Sequence, residues 1–159
     1  MINVLPIATT VLAALLSIEP LHPDSYALLT PAFTLMATYH WTIYRPDFLP
    51  APSLFLIGTL QDLLSGGLPG ETAVTLLLAR AIVLPRRNYL VAQPFPFIWA
   101  GFTLLTGGAM LFSWALHSLL AEELLDLRGP VLRTVLTISA FPIASFLLGR
   151  SQRALIGAD

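Results

Sequence analysis

The sequence predicts an all-α, polytopic integral membrane protein, about six transmembrane helices in one bundle with both termini cytoplasmic. Three observations lead there. Only 11% of the 159 residues are charged and 56% are hydrophobic, with a mean hydropathy of +0.79, whereas a soluble domain carries roughly 25% charged residues. The charges lie between long uncharged runs, Met1 to Ile18, Ser25 to Tyr44 and Asn88 to Ala121, and runs of about 18 or more apolar residues read as membrane spans. The arginines, finally, fall in alternate loops, as six crossings require.

The first expected span, residues 3–18, lacks a basic flank at its start and reads as a transmembrane helix, not a cleaved signal peptide. Glu19-Pro20 and a short acidic loop with His22, Pro23 and Asp24 close it. The second span, 26–44, ends near Tyr39, Trp41 and Tyr44, placed like an interfacial aromatic belt. Arg45-Pro46-Asp47 then turns the chain, because proline neither continues a helix nor favours helical geometry in the residue before it. The third span, 49–65, carries Asp62, and Gly66-Gly67-Leu68-Pro69-Gly70 is a tight reversal.

The fourth span, 71–84, carries Arg80 and is short. About 14 residues rise roughly 21 Å, against a hydrocarbon core of roughly 30 Å. Either the bilayer thins there, or spans three and four form a pair that does not fully cross. The fifth span, 95–117, follows Pro85-Arg86-Arg87 and contains Gly101, Gly107 and Gly108, small residues that permit close helix approach in lipid. A polar loop, 121–128, precedes the sixth span, 130–149, and a polar tail ends the chain. No repeat or linker divides the single domain.

Orientation follows from charge. With six crossings, Arg45, Arg86, Arg87, Arg150 and Arg153 share the side of the termini. Arg128 and Arg133 fall opposite, among Glu19, Asp24, Glu71, Glu122, Glu123 and Asp126. The positive-inside rule makes the first side cytoplasmic, with both termini of this multi-pass chain on it.

Asp62 and Arg80 are the only charges well inside expected spans. Ionisable residues there are costly, about 2.5–3.5 kcal/mol on insertion scales. Three fates are open to Asp62: wetting by the glycine turn while Arg80 snorkels to the other side, an ion pair with Arg80, or a polar contact to a partner helix or ligand. His40 and His117 stand alone near span ends, which points to interfacial hydrogen bonding and to no metal site. Glu122, Glu123 and Asp126 read as a solvated loop face, and Arg86 with Arg87 as a topology signal touching anionic lipid. No nucleophile elbow, phosphate-binding loop, cysteine or pair of membrane carboxylates is present. The expectation is therefore a non-enzymatic protein without cofactors, whose surroundings are the bilayer and other membrane proteins and not nucleic acid.

The run Tyr44-Arg45-Pro46-Asp47-Phe48-Leu49-Pro50, followed by Phe55-x-x-Gly58-x-x-x-Asp62-Leu63-x-x-Gly66, resembles the rod shape-determining protein MreD family. One departure is a loop reading Gly67-Leu68-Pro69-Gly70 where the family commonly has Gly-x-Pro-Leu-Gly. The resemblance implies a scaffold of the bacterial cell-elongation complex, supporting peptidoglycan synthesis and cell shape. It would bind an MreC-like bitopic protein and work alongside MreB, a RodA-type glycosyltransferase and a penicillin-binding transpeptidase. On this chain Arg45, Pro46, Asp62 and Gly66 match the motif and would shape the helix pair against which a partner helix docks; with Gly58, Gly70 and Arg80 they make up the candidate partner-binding or structural residues. The sequence leaves the oligomeric state open, a homodimer included.

The alternative is a substrate-binding membrane subunit of an energy-coupling-factor vitamin transporter, also small and mostly six-span, with a ligand near the outer face. Asp62 beside the glycine turn would suit it. The Ala-x-x-x-Ala docking face such subunits carry on the first span is missing, although Thr9 with Ala13, and Thr10 with Ala14, have that spacing.

Overall fold

The computed structural model describes residues 4–18 and 31–156, with side chains to residue 153, and all regular structure among them is helical. The start of the second expected span, the acidic loop with Glu19, His22 and Asp24, and the last three residues lie outside that range. The helices are α1 Val4–Ser17, α2 Phe33–Tyr44, α3 Ala51–Ser65, α4 Glu71–Val83, the short α5 Arg87–Val91, α6 Phe95–Ala121 and α7 Arg128–Ile156. A 3-10 turn, Pro46–Phe48, leads from α2 to α3, and another, Leu84–Arg86, leads from α4 into α5.

The centre of the bundle is α2. Each of its residues from Thr34 to Ile43 is buried, and α1, α4, α5, α6 and α7 all pack on it. A helix apolar or weakly polar on every side is one kept from water on every side, and for α2 it is the other helices that do so. Of the aromatic belt expected at its end, Tyr44 is half-buried and the other two residues point into the bundle. Tyr39 and Trp41 are buried, and their polar tips find partners inside: the Tyr39 hydroxyl donates to the Ile98 carbonyl at 2.8 Å, and the Trp41 indole N–H donates to Thr9 Oγ1 at 2.9 Å. His40, also expected at an interface, is buried too, with its ring 5.5 Å from Trp41 and 4.7 Å from Tyr44. Tyr39, Phe102 and Phe141 then join α2, α6 and α7 in one aromatic cluster, Phe102 and Phe141 stacked with centroids 4.1 Å apart.

Two helices, α6 and α7, are long and apolar enough to cross a membrane. Only 17% and 11% of their apolar windows are buried, so most of each window faces away from the rest of the chain. Their uncovered surface is apolar, with Leu104, Leu111, Leu119, Val135, Ile143, Phe146 and Leu147 all exposed. The other four principal helices have 14, 12, 15 and 13 residues, a rise of roughly 18–23 Å each. The shortness read for the fourth span is thus shared by α1 to α4.

Of the three glycines expected to seat helices closely, one does. A Cβ at Gly101 would lie 2.7 Å from the Tyr39 hydroxyl oxygen, whereas one at Gly107 or Gly108 would meet open space. Gly108 instead lines an apolar groove of about 470 Å³ between α4 and α6.

Candidate functional site

Residues 45–80 assemble into one structural unit, the α3–α4 hairpin with the turn that precedes it. On α3 the buried stripe is Leu54, Ile57, Gly58, Gln61 and Asp62, the spacing of a single helical face. On α4 it is Ala73, Leu76, Ala79 and Val83. Gly58 sits directly against the Ala73 backbone, where a Cβ would lie 2.6 Å from the Ala73 nitrogen and closer still to its Cα. Backbone contact of this kind is open only to glycine, and it brings the next turn of α3 beside the start of α4.

There Asp62, 4% exposed, finds its partners. Its Oδ2 accepts the Gly70 N–H at 2.9 Å and the Thr72 N–H at 3.1 Å, with Oδ1 at 3.2 Å from the latter. The first N–H groups of any helix lack intrahelical acceptors, and an N-cap side chain ordinarily supplies one. The N-cap of α4 is Gly70, at φ +93°, a backbone that favours glycine and leaves no capping side chain. Asp62 supplies the carboxylate from the preceding helix, at the end of α4 where the helix dipole favours negative charge. Gly66, at φ +67°, ends α3 in the left-handed conformation that turns the chain toward it.

Asp62 is thus shielded and not wetted by the turn, its carboxylate committed to the backbone of its own hairpin. It does not pair with Arg80, because its ligands are in the first turn of α4 and Arg80 is in the last, about 12 Å along the axis. Arg80 Nη1 instead donates to the Pro46 carbonyl at 3.3 Å, tying the end of α4 to the turn before α3. The Arg45 guanidinium lies over the Phe48 ring at 5.7 Å from its centroid, and the Arg45 N–H closes α2 on the Trp41 carbonyl. Arg45, Pro46, Gly58, Asp62, Gly66, Gly70 and Arg80 each hold one joint of this unit.

A second feature lies at the same end of the molecule. A cavity of about 450 Å³ opens between α4, α6 and α7, reaching the start of α2 and Gln61. His117 is not alone, as expected from sequence: its Nε2 faces Glu71 Oε2 at 3.5 Å, and its Nδ1 lies 2.9 Å from the Ser113 carbonyl. The Ser113 hydroxyl donates to Glu71 Oε1. Deeper in, the Thr34 hydroxyl donates to Gln61 Oε1 at 2.7 Å. Sequence reading missed Glu71, Ser113 and Gln61 as site residues. The available signal was the one-turn spacing of Ser113 and His117, which puts both on one face of α6. Among the described residues no group of three or more histidine or acidic side chains forms a metal-binding cluster. Glu122 and Glu123 are exposed, and the Asp126 carboxylate accepts the Arg128 N–H at 3.0 Å.

Comparison with protein-family models, curated proteins and solved structures finds no match to this chain.

Proposed function

We propose that this protein is a non-enzymatic, six-crossing component of a bacterial inner membrane, with both termini cytoplasmic, acting as an MreD-like scaffold of the cell-elongation complex. The observation that carries the proposal is the convergence of the motif residues. The seven positions singled out from the sequence, of which Arg45, Pro46, Asp62 and Gly66 match the family motif, are scattered over 36 residues, yet each one holds a joint of the α3–α4 hairpin and its entry turn. A chain with short loops meets partners through helix faces, where small residues and close packing supply specificity. The outer face of α3 is available for that: Leu56, Leu60 and Leu63, one helical stripe, are exposed.

The capture-subunit alternative draws on a different observation, the polar cavity beside Glu71 and His117. The inward use of α1 weighs against it. Thr10 and Ala14, the small pair that could replace the docking face, are buried within this chain, and Thr9 accepts the Trp41 indole N–H.

The test is a mild-detergent pull-down of the tagged protein from its native membranes, run beside an Asp62→Leu variant. Recovery of an MreC-like bitopic protein, lost or reduced with Asp62→Leu while membrane insertion persists, is the expected result. Recovery of ATPases with a shared membrane coupling subunit would replace the scaffold assignment with the capture subunit.

A further inference from the structure

We propose that the groove between α4 and α6 holds an acyl chain of an anionic phospholipid from the cytoplasmic leaflet, with the lipid phosphate on Arg86. The proposal rests on the crossing arrangement, which puts Arg86 on the cytoplasmic side, and not on the scaffold assignment. The lining carries three polar side chains, Tyr39, Thr75 and Arg86, and is otherwise apolar. Tyr39 and Thr75 have committed their hydroxyl hydrogens within the chain, to the Ile98 and Glu71 carbonyls at 2.8 and 2.9 Å. Only Arg86 is left to meet a ligand with charge.

The two helices run antiparallel: Glu71 meets Ser113 at one end, and Leu90, just past α4, lies against Gly101 at the other. The groove therefore leads from Arg86 and Gly101 to Thr75 and Phe112. One of the five guanidinium N–H groups of Arg86 donates to the Ile82 carbonyl at 2.9 Å. Among the described residues the others have no partner, and no carboxylate pairs with the charge. An apolar slot ending at an unanswered arginine is complementary to a molecule with a hydrocarbon tail and an anionic head. Basic sites between transmembrane helices on the cytoplasmic side bind headgroups of that kind.

Length selects a lipid over a helix. From Gly101 to Phe112, α6 rises about 17 Å, close to the roughly 15 Å that one leaflet contributes to a hydrocarbon core of roughly 30 Å. A partner helix would run on past Phe112, where the Ser113 hydroxyl and Glu71 already bridge α6 to α4. The groove is open along its side, since Leu78, Ile82, Leu104 and Phe112 on its walls are exposed. No side chain fills it at Gly108, where a Cβ would meet open space.

The test takes the full chain, delipidated in a non-ionic detergent, and titrates it with phosphatidylglycerol or phosphatidylcholine. Native mass spectrometry counts the lipids bound and the copies of the chain. The expected result is one lipid that binds saturably, with phosphatidylglycerol preferred. Arg86→Gln should lower that preference about fivefold, the value of one basic residue beside anionic lipid. Arg150→Gln, an exposed arginine on the same side that does not line the groove, should leave it unchanged. Gly108→Leu puts a side chain into the slot; it should melt no lower than the parent, leucine being the better helix former, and lose the saturable lipid. Equal binding of the two lipids, an unchanged preference in Arg86→Gln, or unchanged binding in Gly108→Leu would overturn the proposal. A dimer of the parent that Gly108→Leu separates would also overturn it and give the groove to a second copy of this chain. Detergent removes sidedness from the result, so an error in the crossing arrangement shows only in cysteine labelling of intact cells and stays distinguishable.

Discussion

Asp62 is a carboxylate that serves as a helix cap for a neighbour, and the consequences of changing it follow from that geometry. Asp62→Ala removes both acceptors and leaves the Gly70 and Thr72 N–H groups without partners beside the packed hairpin, at a cost of about 2 kcal/mol. Asp62→Asn keeps one acceptor oxygen and loses the charge, which should cost about half as much, because charge-assisted hydrogen bonds are roughly twice as strong as neutral ones. Thermal melting in lipid nanodiscs checks the order: parent above Asn above Ala. Equal melting for all three would mean that Asp62 does not cap α4. The glycines separate in the same way. Gly58→Ala drives a methyl into the Ala73 backbone and should destabilise by about 1–3 kcal/mol. Gly107→Ala puts the same methyl into open space and should be neutral or slightly stabilising, since alanine is the better helix former. A Gly58→Ala variant that melts with the parent would remove the close contact of α3 and α4 from consideration.

Among the elements, α2 decides how the others are placed, and its seat on α6 can be measured. The Tyr39 hydroxyl binds the Ile98 carbonyl and occupies the space in which a Gly101 Cβ would sit. Gly101→Ala should therefore cost about 1–3 kcal/mol in the parent and much less in Tyr39→Phe, where the oxygen is gone. A double-mutant cycle with a coupling of about 1 kcal/mol is expected; additive effects would show that the two positions do not meet. This element also shows what the sequence could not reveal. A helix facing lipid and a helix surrounded by other helices need the same apolar letters, so uncharged length identified α2 without showing that it is central. Its aromatic residues looked like a belt because lipid interfaces and polar contacts inside a bundle both select tyrosine and tryptophan. The hairpin was more legible, since a charge in an apolar run and three glycines are visible anomalies. Their resolution was not visible, because the groups that answer Asp62 are backbone N–H groups, which every residue but proline carries. The Glu71–His117 contact was hidden for another reason: it joins two helices far apart in sequence, and only packing brings them together.

For the molecule as a whole, the open question of architecture is whether helices of 12–15 residues cross a bilayer beside two that are plainly long enough. Six crossings put the 66–70 turn and the 122–127 loop on one side and α5 on the other, which agrees with the placement of Arg86 and Arg87. The chain contains no cysteine, so single cysteines report sidedness without background. Gly67→Cys and Leu124→Cys, both exposed positions, should react with a membrane-impermeant maleimide added outside intact cells. Tyr89→Cys, on α5 and 65% exposed, should react only after permeabilisation. If Tyr89→Cys labels from outside together with Gly67→Cys, α4 does not cross, and the α3–α4 hairpin enters and leaves the membrane on one face. The distinction matters physically, because a re-entrant hairpin would need its turn shielded at depth by protein or a water-filled cavity. A crossing hairpin needs only a bilayer thinned locally around four short helices, at a fraction of a kcal/mol for each ångström of mismatch. The exposed leucines Leu56, Leu60 and Leu63 of α3 suit lipid contact in either arrangement, so the labelling pattern decides between them: outside labelling of Gly67→Cys with Tyr89→Cys protected is the outcome expected of six crossings.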